Sequence, residues 1–233
     1  MSQVILITGT RKGIGKYLAE YYLDKGHRVV GCSRGKASIS CEGYEHFELD
    51  VSDEKAVVSM MRRVKKDYGT VDVLINNAGV AGMNHFLTTP LSNVENIYNT
   101  NVIGTYLFMR EAAKIMMRKG KGKIINYSTV AVALNLEGEA AYASSKAAVE
   151  SLTKIAAKEL GPFGIQVNAI APTPVYTDLI KTVPKDKINK LLESQIIKRF
   201  GEFTDVSNVI DFYISPNSGF ITAQTIYLGG VVR

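Results

Sequence analysis

Residues 8–16 read T-G-T-R-K-G-I-G-K, directly after the apolar run V-I-L-I at 4–7. Glycines at 9, 13 and 15 let a backbone turn tightly and approach a pyrophosphate. A helix that starts there aims its free N–H groups at the anion. The competing phosphate loop needs glycine at position 10 and Ser or Thr after Lys16, but the chain has Thr10 and Tyr17. The spacing is G-x-x-x-G-x-G; the G-x-G-x-x-G fingerprint fails because Leu18 holds its last place. The loop therefore predicts a strand–turn–helix built for a dinucleotide.

Working outward, the pattern repeats. Apolar runs at 4–7, 28–32, 46–49, 71–75, 123–127, 166–170 and 225–228 alternate with helical patterns near 14–25, 53–68, 93–118, 141–160 and 204–214. Continuous Val/Ile/Leu runs alternating with helices predict a doubly wound parallel α/β sheet, Rossmann-like, of about seven strands with helices on both faces. No repeat or linker interrupts it, so residues 1–233 read as one domain. About ten residues, 35–45, separate the second and third strands, too few for a full crossover helix. A short loop with at most one helical turn is expected there.

Composition narrows the function. The net charge is +6, but the basic residues form no patch interleaved with aromatics, which argues against nucleic acid. The densest cluster, R-K-G-K-G-K at 118–123, reads as a solvated loop. Cys32 and Cys41 make no disulfide framework, and His27, His46 and His85 lack metal-ligand spacing, so no metal is expected. No run is long enough to span a membrane, and the N-terminus is no signal peptide; a cytoplasmic protein is expected.

The second strand selects the dinucleotide. An acid at its end would accept the adenosine ribose hydroxyls, but the chain has Ser33 and Arg34. A guanidinium offers a planar fork of donors to a 2′-phosphate, and Arg11 and Lys12 add charge to the same corner. NADP is the expected cofactor.

With T-G-T-R-K-G-I-G at 8–15 stand Asp50-Val51, N-N-A-G at 76–79, Asn101 in N-T-N-V, Y-A-S-S-K at 142–146 and N-A-I-A-P at 168–172. In this order and spacing the chain resembles the classical short-chain dehydrogenase/reductase family, over essentially its whole length. Within the family it is most similar to 3-oxoacyl-acyl-carrier-protein reductases, the R-F-G-E run at 199–202 included. The resemblance implies that Gly9, Arg11, Lys12, Gly13, Ile14, Gly15, Ser33 and Arg34 hold the phosphates. Asp50 and Val51 would meet the adenine, and Asn77, Ala78 and Gly79 the cofactor ribose. Pro172 and Thr177 would stand at the nicotinamide end, together with Tyr142 and Lys146. The family usually has glycine after this proline; Thr173 and Pro174 imply a stiffer loop.

Tyr142 and Lys146 are four apart and share a helix face. An ammonium beside a phenol favours the phenolate, which would bring Tyr142 down from its usual range near 10. The resemblance makes Tyr142 the general acid or base and gives Asn101 a water that relays protons to Lys146. The family's catalytic serine lies thirteen residues before the tyrosine, and here that place holds Thr129. Adjacent strand residues point to opposite faces, so Ser128 and Thr129 cannot both serve; Thr129 is assigned, with a local backbone shift that brings in Ser128 as the alternative.

The expected activity is NADP-dependent interconversion of a ketone and a secondary alcohol. The substrate is a small carbonyl or alcohol, free or carrier-linked, with a 3-oxoacyl thioester first. A hydroxylated, sugar-like ketone and a non-catalytic NADP-binding protein are the alternatives. Glu137 and Glu139, just before Tyr142, would suit hydroxyls of a polar substrate. Residues 174–199 are expected to cover the substrate, with Ile188, Leu191, Leu192 and Ile196 as a helical apolar face. Ala147, Ala148, Ala156 and Ala157 leave a helix suited to close packing, and the resemblance implies a homotetramer.

Overall fold

The computed structural model describes residues 2–177 and 185–231. Strands β1 (Val4–Thr8), β2 (Arg28–Ser33), β3 (Tyr44–Glu48), β4 (Val73–Asn76), β5 (Gly122–Tyr127), β6 (Ile165–Ala171) and β7 (Thr225–Tyr227) form one parallel sheet ordered β3-β2-β1-β4-β5-β6-β7. From the centre of the sheet the chain steps outward one way through β1, β2 and β3 and the other way through β4 to β7. That reversal leaves a crevice beyond the carboxyl ends of β1 and β4, where such sheets bind ligands.

The helices are α1 (Gly13–Asp24), α2 (Glu54–Tyr68), α3 (Leu91–Tyr98), α4 (Gly104–Lys119), α5 (Val130–Leu134), α6 (Ala140–Leu160), α7 (Lys185–Glu193) and α8 (Phe203–Ile214). The period-2 alternation of strand residues assigns them to faces. Leu6, Val30, Leu74, Ile124 and Val167 join residues of α2, α4 and α6 in one core. Ile5, Ile7, Val29, Ile75 and Ile170 join residues of α1 and α8 in the other. Each side chain buried this fully contributes about 1.5–3 kcal/mol, so both faces of the sheet are held apart from water by the pattern itself.

Asp53 caps α2 by accepting from the Ala56 amide at 3.1 Å, and Gly69 ends it in the left-handed region. The connection from β2 to β3 contains no helix, and the two strands still pair in parallel.

The expected helix at 93–118 is two helices, α3 and α4, joined by a π-helical segment at Asn99–Ile103. An inserted residue leaves the apolar pattern readable on both sides and is silent in periodicity. The alternating V-A-V-A-L of α5 was not foreseen as a helix. Among the described residues the covering segment is helical over Lys185–Glu193, and 178–184 of the expected lid lie outside the described residues. Ile196 lies beyond the helix and is exposed, so it is no part of that apolar face.

Candidate active site

A cleft of about 720 Å³ runs along the carboxyl edge of the sheet from the glycine loop to Tyr142. Every residue expected to hold the cofactor or act in catalysis lines it except Gly15 and Asn101, which are buried beneath it. A Cβ on Gly15 would collide with the Gly9 carbonyl oxygen and the Asn77 amide, so glycine here sets how closely α1 approaches the sheet. Gly9 and Gly13 have φ of 78° and 59°, left-handed values that favour glycine. Asn77 Nδ2 donates to the Thr8 carbonyl at 2.9 Å, and the Ala78 amide donates to Thr8 Oγ1 at 2.9 Å. The loops after β1 and β4 are thereby fixed to each other. Thr177 reaches over Gly13 from the loop after β6; a Cβ on Gly13 would lie 3.7 Å from its methyl.

Arg11, Lys12, Ser33 and Arg34 gather at one end of the cleft. The first turn of α1 carries no acidic residue, which leaves that helix end open to an anion. This donor set fits a dinucleotide with an extra phosphate, and no acid stands where a ribose 2′-hydroxyl would need one. Asp50 Oδ1 accepts from the Ser52 amide and hydroxyl at 2.9 and 2.6 Å, and these bonds hold its carboxyl below the usual range despite burial. The cap of α2 is Asp53, not Asp50. Val51 packs under Gly104, at the start of α4.

At the other end the two hydroxyls separate as strand geometry requires. Ser128 Oγ donates to Glu150 Oε1 at 2.5 Å, and Tyr227 donates to the same oxygen at 2.5 Å. Thr129 instead lines the cleft with Tyr142 and acts on its phenol. Its Oγ1 also accepts from the Ala131 amide at 3.3 Å, which starts α5. The Ser128 hydroxyl is thus taken up by Glu150.

The electrostatics differ from the expectation. Burial pushes the Tyr142 phenol up to about 12, with the nearby Glu139 charge adding and the Thr129 hydrogen bond opposing. Lys146 is not among the groups that lower it. Its Nζ donates to the Tyr127 carbonyl at 2.8 Å, and burial brings the ammonium down to about 8. Desolvation dominates both values.

Asn101 sits in the π segment and its amide is spent on protein. Oδ1 accepts from the Val80 amide at 2.9 Å, while Nδ2 donates to the Val80 carbonyl at 2.9 Å and to Ser145 Oγ at 3.0 Å. It pins the 77–81 loop to α6. Thr173 is buried and hydrogen-bonded to Gln195, whose Nε2 donates to the Arg199 carbonyl, so the loop after Pro172 is tied to the segment after α7. Glu139 lines the cleft and burial raises its carboxyl, with Lys187 of α7 opposing; Glu137 is exposed outside it.

Several residues that build the site carry no sequence motif: Gln195, Tyr44 and His46. Glu150 did leave a signal, since Tyr142, Lys146 and Glu150 are spaced i, i+4, i+8 on one helix face.

The family profile described as enoyl-(acyl carrier protein) reductase matches residues 9–231. The chain belongs to the short-chain dehydrogenase/reductase family. It is 34% identical to a 3-oxoacyl-[acyl-carrier-protein] reductase of Staphylococcus epidermidis, covering 99% of this chain and 98% of that protein. Among solved structures it superposes on ElxO with NADP bound (TM-score 0.89, 32% identity, 99% and 98% of the chains). It also superposes on a gluconate 5-dehydrogenase of Burkholderia cenocepacia in complex with NADP and tartrate (TM-score 0.93, 26% identity, 99% and 95%). In this short-chain dehydrogenase/reductase, Thr129 stands where the family's catalytic serine is expected.

Proposed function

We propose that this chain is an NADPH-dependent ketoreductase, acting as a single domain, whose substrate is a 3-oxoacyl thioester. The observation that carries the reading is that Thr129, Tyr142 and Lys146 line one end of a cleft whose other end is cationic. NADPH, when bound, supplies the hydride for the carbonyl carbon. Ser33, Arg34 and Arg11 would hold its 2′-phosphate, and Asn77 to Gly79 would border its ribose.

The protein's own groups manage the oxygen. Thr129 donates a hydrogen bond to the carbonyl and fixes its place against Tyr142. Tyr142 is held above the neutral range and is therefore protonated, as an acid that gives its proton to the forming alkoxide must be. Lys146, lowered only to about 8, remains largely an ammonium at neutral pH and favours negative charge on that oxygen.

Support for the acyl substrate comes from the apolar side chains Leu136, Tyr176 and Leu191 along the cleft and from the 34% identical relative. In the resemblance, two arginines dock the carrier protein; their places hold Phe163 and Gly120, and Gly120 has φ 68° at the end of α4. Arg118, Lys119 and Lys121 carry charge nearby, although Lys119 is paired with Asp72. Glu139 favours a second reading: a carboxyl in the cleft suits a hydroxyl-bearing ketone. We take the working form to be a cytoplasmic homotetramer, on the exposed apolar residues Ile103, at the end of the π segment, and Tyr106 and Ile155 on α4 and α6.

The test is NADPH consumption with acetoacetyl thioesters, with and without the carrier protein, against polyhydroxy ketones. Turnover of the thioesters is expected. Turnover of a polyhydroxy ketone alone would replace the first reading by the second.

A further inference from the structure

A chain of hydrogen bonds underlies the cationic end of the cleft, and none of its members belongs to the residues assigned above except Ser33. Thr10 Oγ1 lies 2.8 Å from the Tyr44 hydroxyl, which lies 2.8 Å from His46 Nδ1. His46 Nε2 is 3.0 Å from the Gly35 carbonyl and 3.1 Å from Ser33 Oγ. Ser33 Oγ itself donates to the Gly35 carbonyl at 2.8 Å.

A carbonyl only accepts, so His46 Nε2 carries a hydrogen. With the hydrogen on Nε2, Nδ1 accepts from Tyr44, and Tyr44 accepts from Thr10. The donors run in one direction, from the glycine loop to the loop after β2.

The same chain joins the two cation-bearing loops. Thr10 precedes Arg11 and Lys12, while Ser33 and Gly35 flank Arg34. Arg11 lies across Gly35, where a Cβ would be 3.3 Å from its Cδ, and Ser38 Oγ donates to the Arg11 carbonyl at 2.7 Å. Gly31 makes room for the network, since a side chain there would take the place of the Tyr44 and Thr10 hydroxyls.

We propose that His46 is a positioning residue that gives this protein its preference for a 2′-phosphorylated adenosine. The inference rests on the reading that Ser33 and Arg34 hold the 2′-phosphate. As it stands, the Ser33 proton is spent on the Gly35 carbonyl. His46 Nε2–H also satisfies that carbonyl and donates to Ser33 Oγ. Ser33 can therefore turn its own proton to an anion without leaving a backbone acceptor bare. His46 makes the exchange nearly free and holds the Gly35 seat on which Arg11 rests.

The experiment is calorimetric binding of two fragments, adenosine 2′,5′-bisphosphate and adenosine 5′-monophosphate, which needs neither substrate nor turnover. The parent should bind the bisphosphate more tightly. His46→Leu should lower the ratio of the two affinities about tenfold, the scale of one positioned hydrogen bond, with the monophosphate within about twofold of the parent. His46→Gln, which restores an Nε2 donor, should keep the ratio within about threefold. Should the leucine variant fail to fold, His46→Asn keeps the Tyr44 side of the chain and should show the same loss.

An unchanged ratio in the Leu or Asn variant overturns the proposal. So does an equal loss for both nucleotides, which would mean a scaffold role alone. A parent that does not distinguish the fragments would overturn the assignment of Ser33 and Arg34, and the proposal with it, without bearing on the chemistry at Tyr142.

Discussion

At the scale of single residues, neighbours on one strand end have opposite duties. Thr129 faces Tyr142, while Ser128 faces Glu150. Thr129→Ala should reduce turnover about a hundredfold or more, as loss of an oxyanion-type donor does, and Thr129→Ser should remain active. Ser128→Ala should leave turnover within a few fold and lower stability by about 1 kcal/mol, the worth of its bond to Glu150. Steady-state kinetics with urea melts of the three variants checks this; a Ser128→Ala enzyme as impaired as Thr129→Ala would contradict it. Strand alternation made this choice legible in the sequence. The pKa of Tyr142 was not legible, because burial depends on segments far apart in the chain.

Lys146 gives a second prediction at this scale. Its ordinary value is 10.5, and burial brings it to about 8 in the folded protein. Between those values the unfolded chain holds the proton and the folded chain does not, so this group's contribution to stability rises with pH across that window. Below about pH 8 the folded protein carries a buried ammonium at a cost. Lys146→Met should therefore be more stable than the parent at pH 7, by roughly 1–3 kcal/mol, and the gain should shrink toward pH 10. Urea unfolding at pH 7 and near pH 10 measures it, and a pH-independent loss of stability would refute it.

At the scale of elements, seven strands and the five longer helical regions were legible, since each is an apolar run or an amphipathic face. The break at Asn99–Ile103 was not, yet it carries Asn101. That side chain satisfies both backbone groups of Val80 and also bonds Ser145. Asn101→Ala leaves buried backbone polar groups without a partner and should cost about 1–3 kcal/mol. It should also weaken NADPH binding, because the 77–81 loop lines the cleft. Calorimetry reads both quantities; a variant with parental stability and affinity would show that the loop is held by other means. The loop between β2 and β3 shows the same limit of sequence reading. Its length excluded a helix, but nothing in it announced that His46, across in β3, fastens it.

At the scale of the whole molecule, the parallel order of the sheet places residues from 9 to 203 around one cleft. Among the described residues, no helix is long and apolar enough to cross a membrane. Of the alanines expected to let α6 pack closely, Ala157 is inside the core, and Ala147, Ala148 and Ala156 are half-buried. Exposed Ile103, Tyr106, Met117 and Ile155 supply apolar surface instead. A homotetramer is predicted, and light scattering at micromolar concentration that finds only monomer would exclude it.

The account turns on Tyr142 as the proton donor of a working reductase. The direct measurement is NADPH consumption with acetoacetyl thioester by the parent and by Tyr142→Phe, with NADPH binding measured on both. Turnover by the parent, a loss of at least about a hundredfold in the variant and similar NADPH affinity in both are predicted. A phenylalanine variant that turns over within tenfold of the parent while binding NADPH equally well would contradict it.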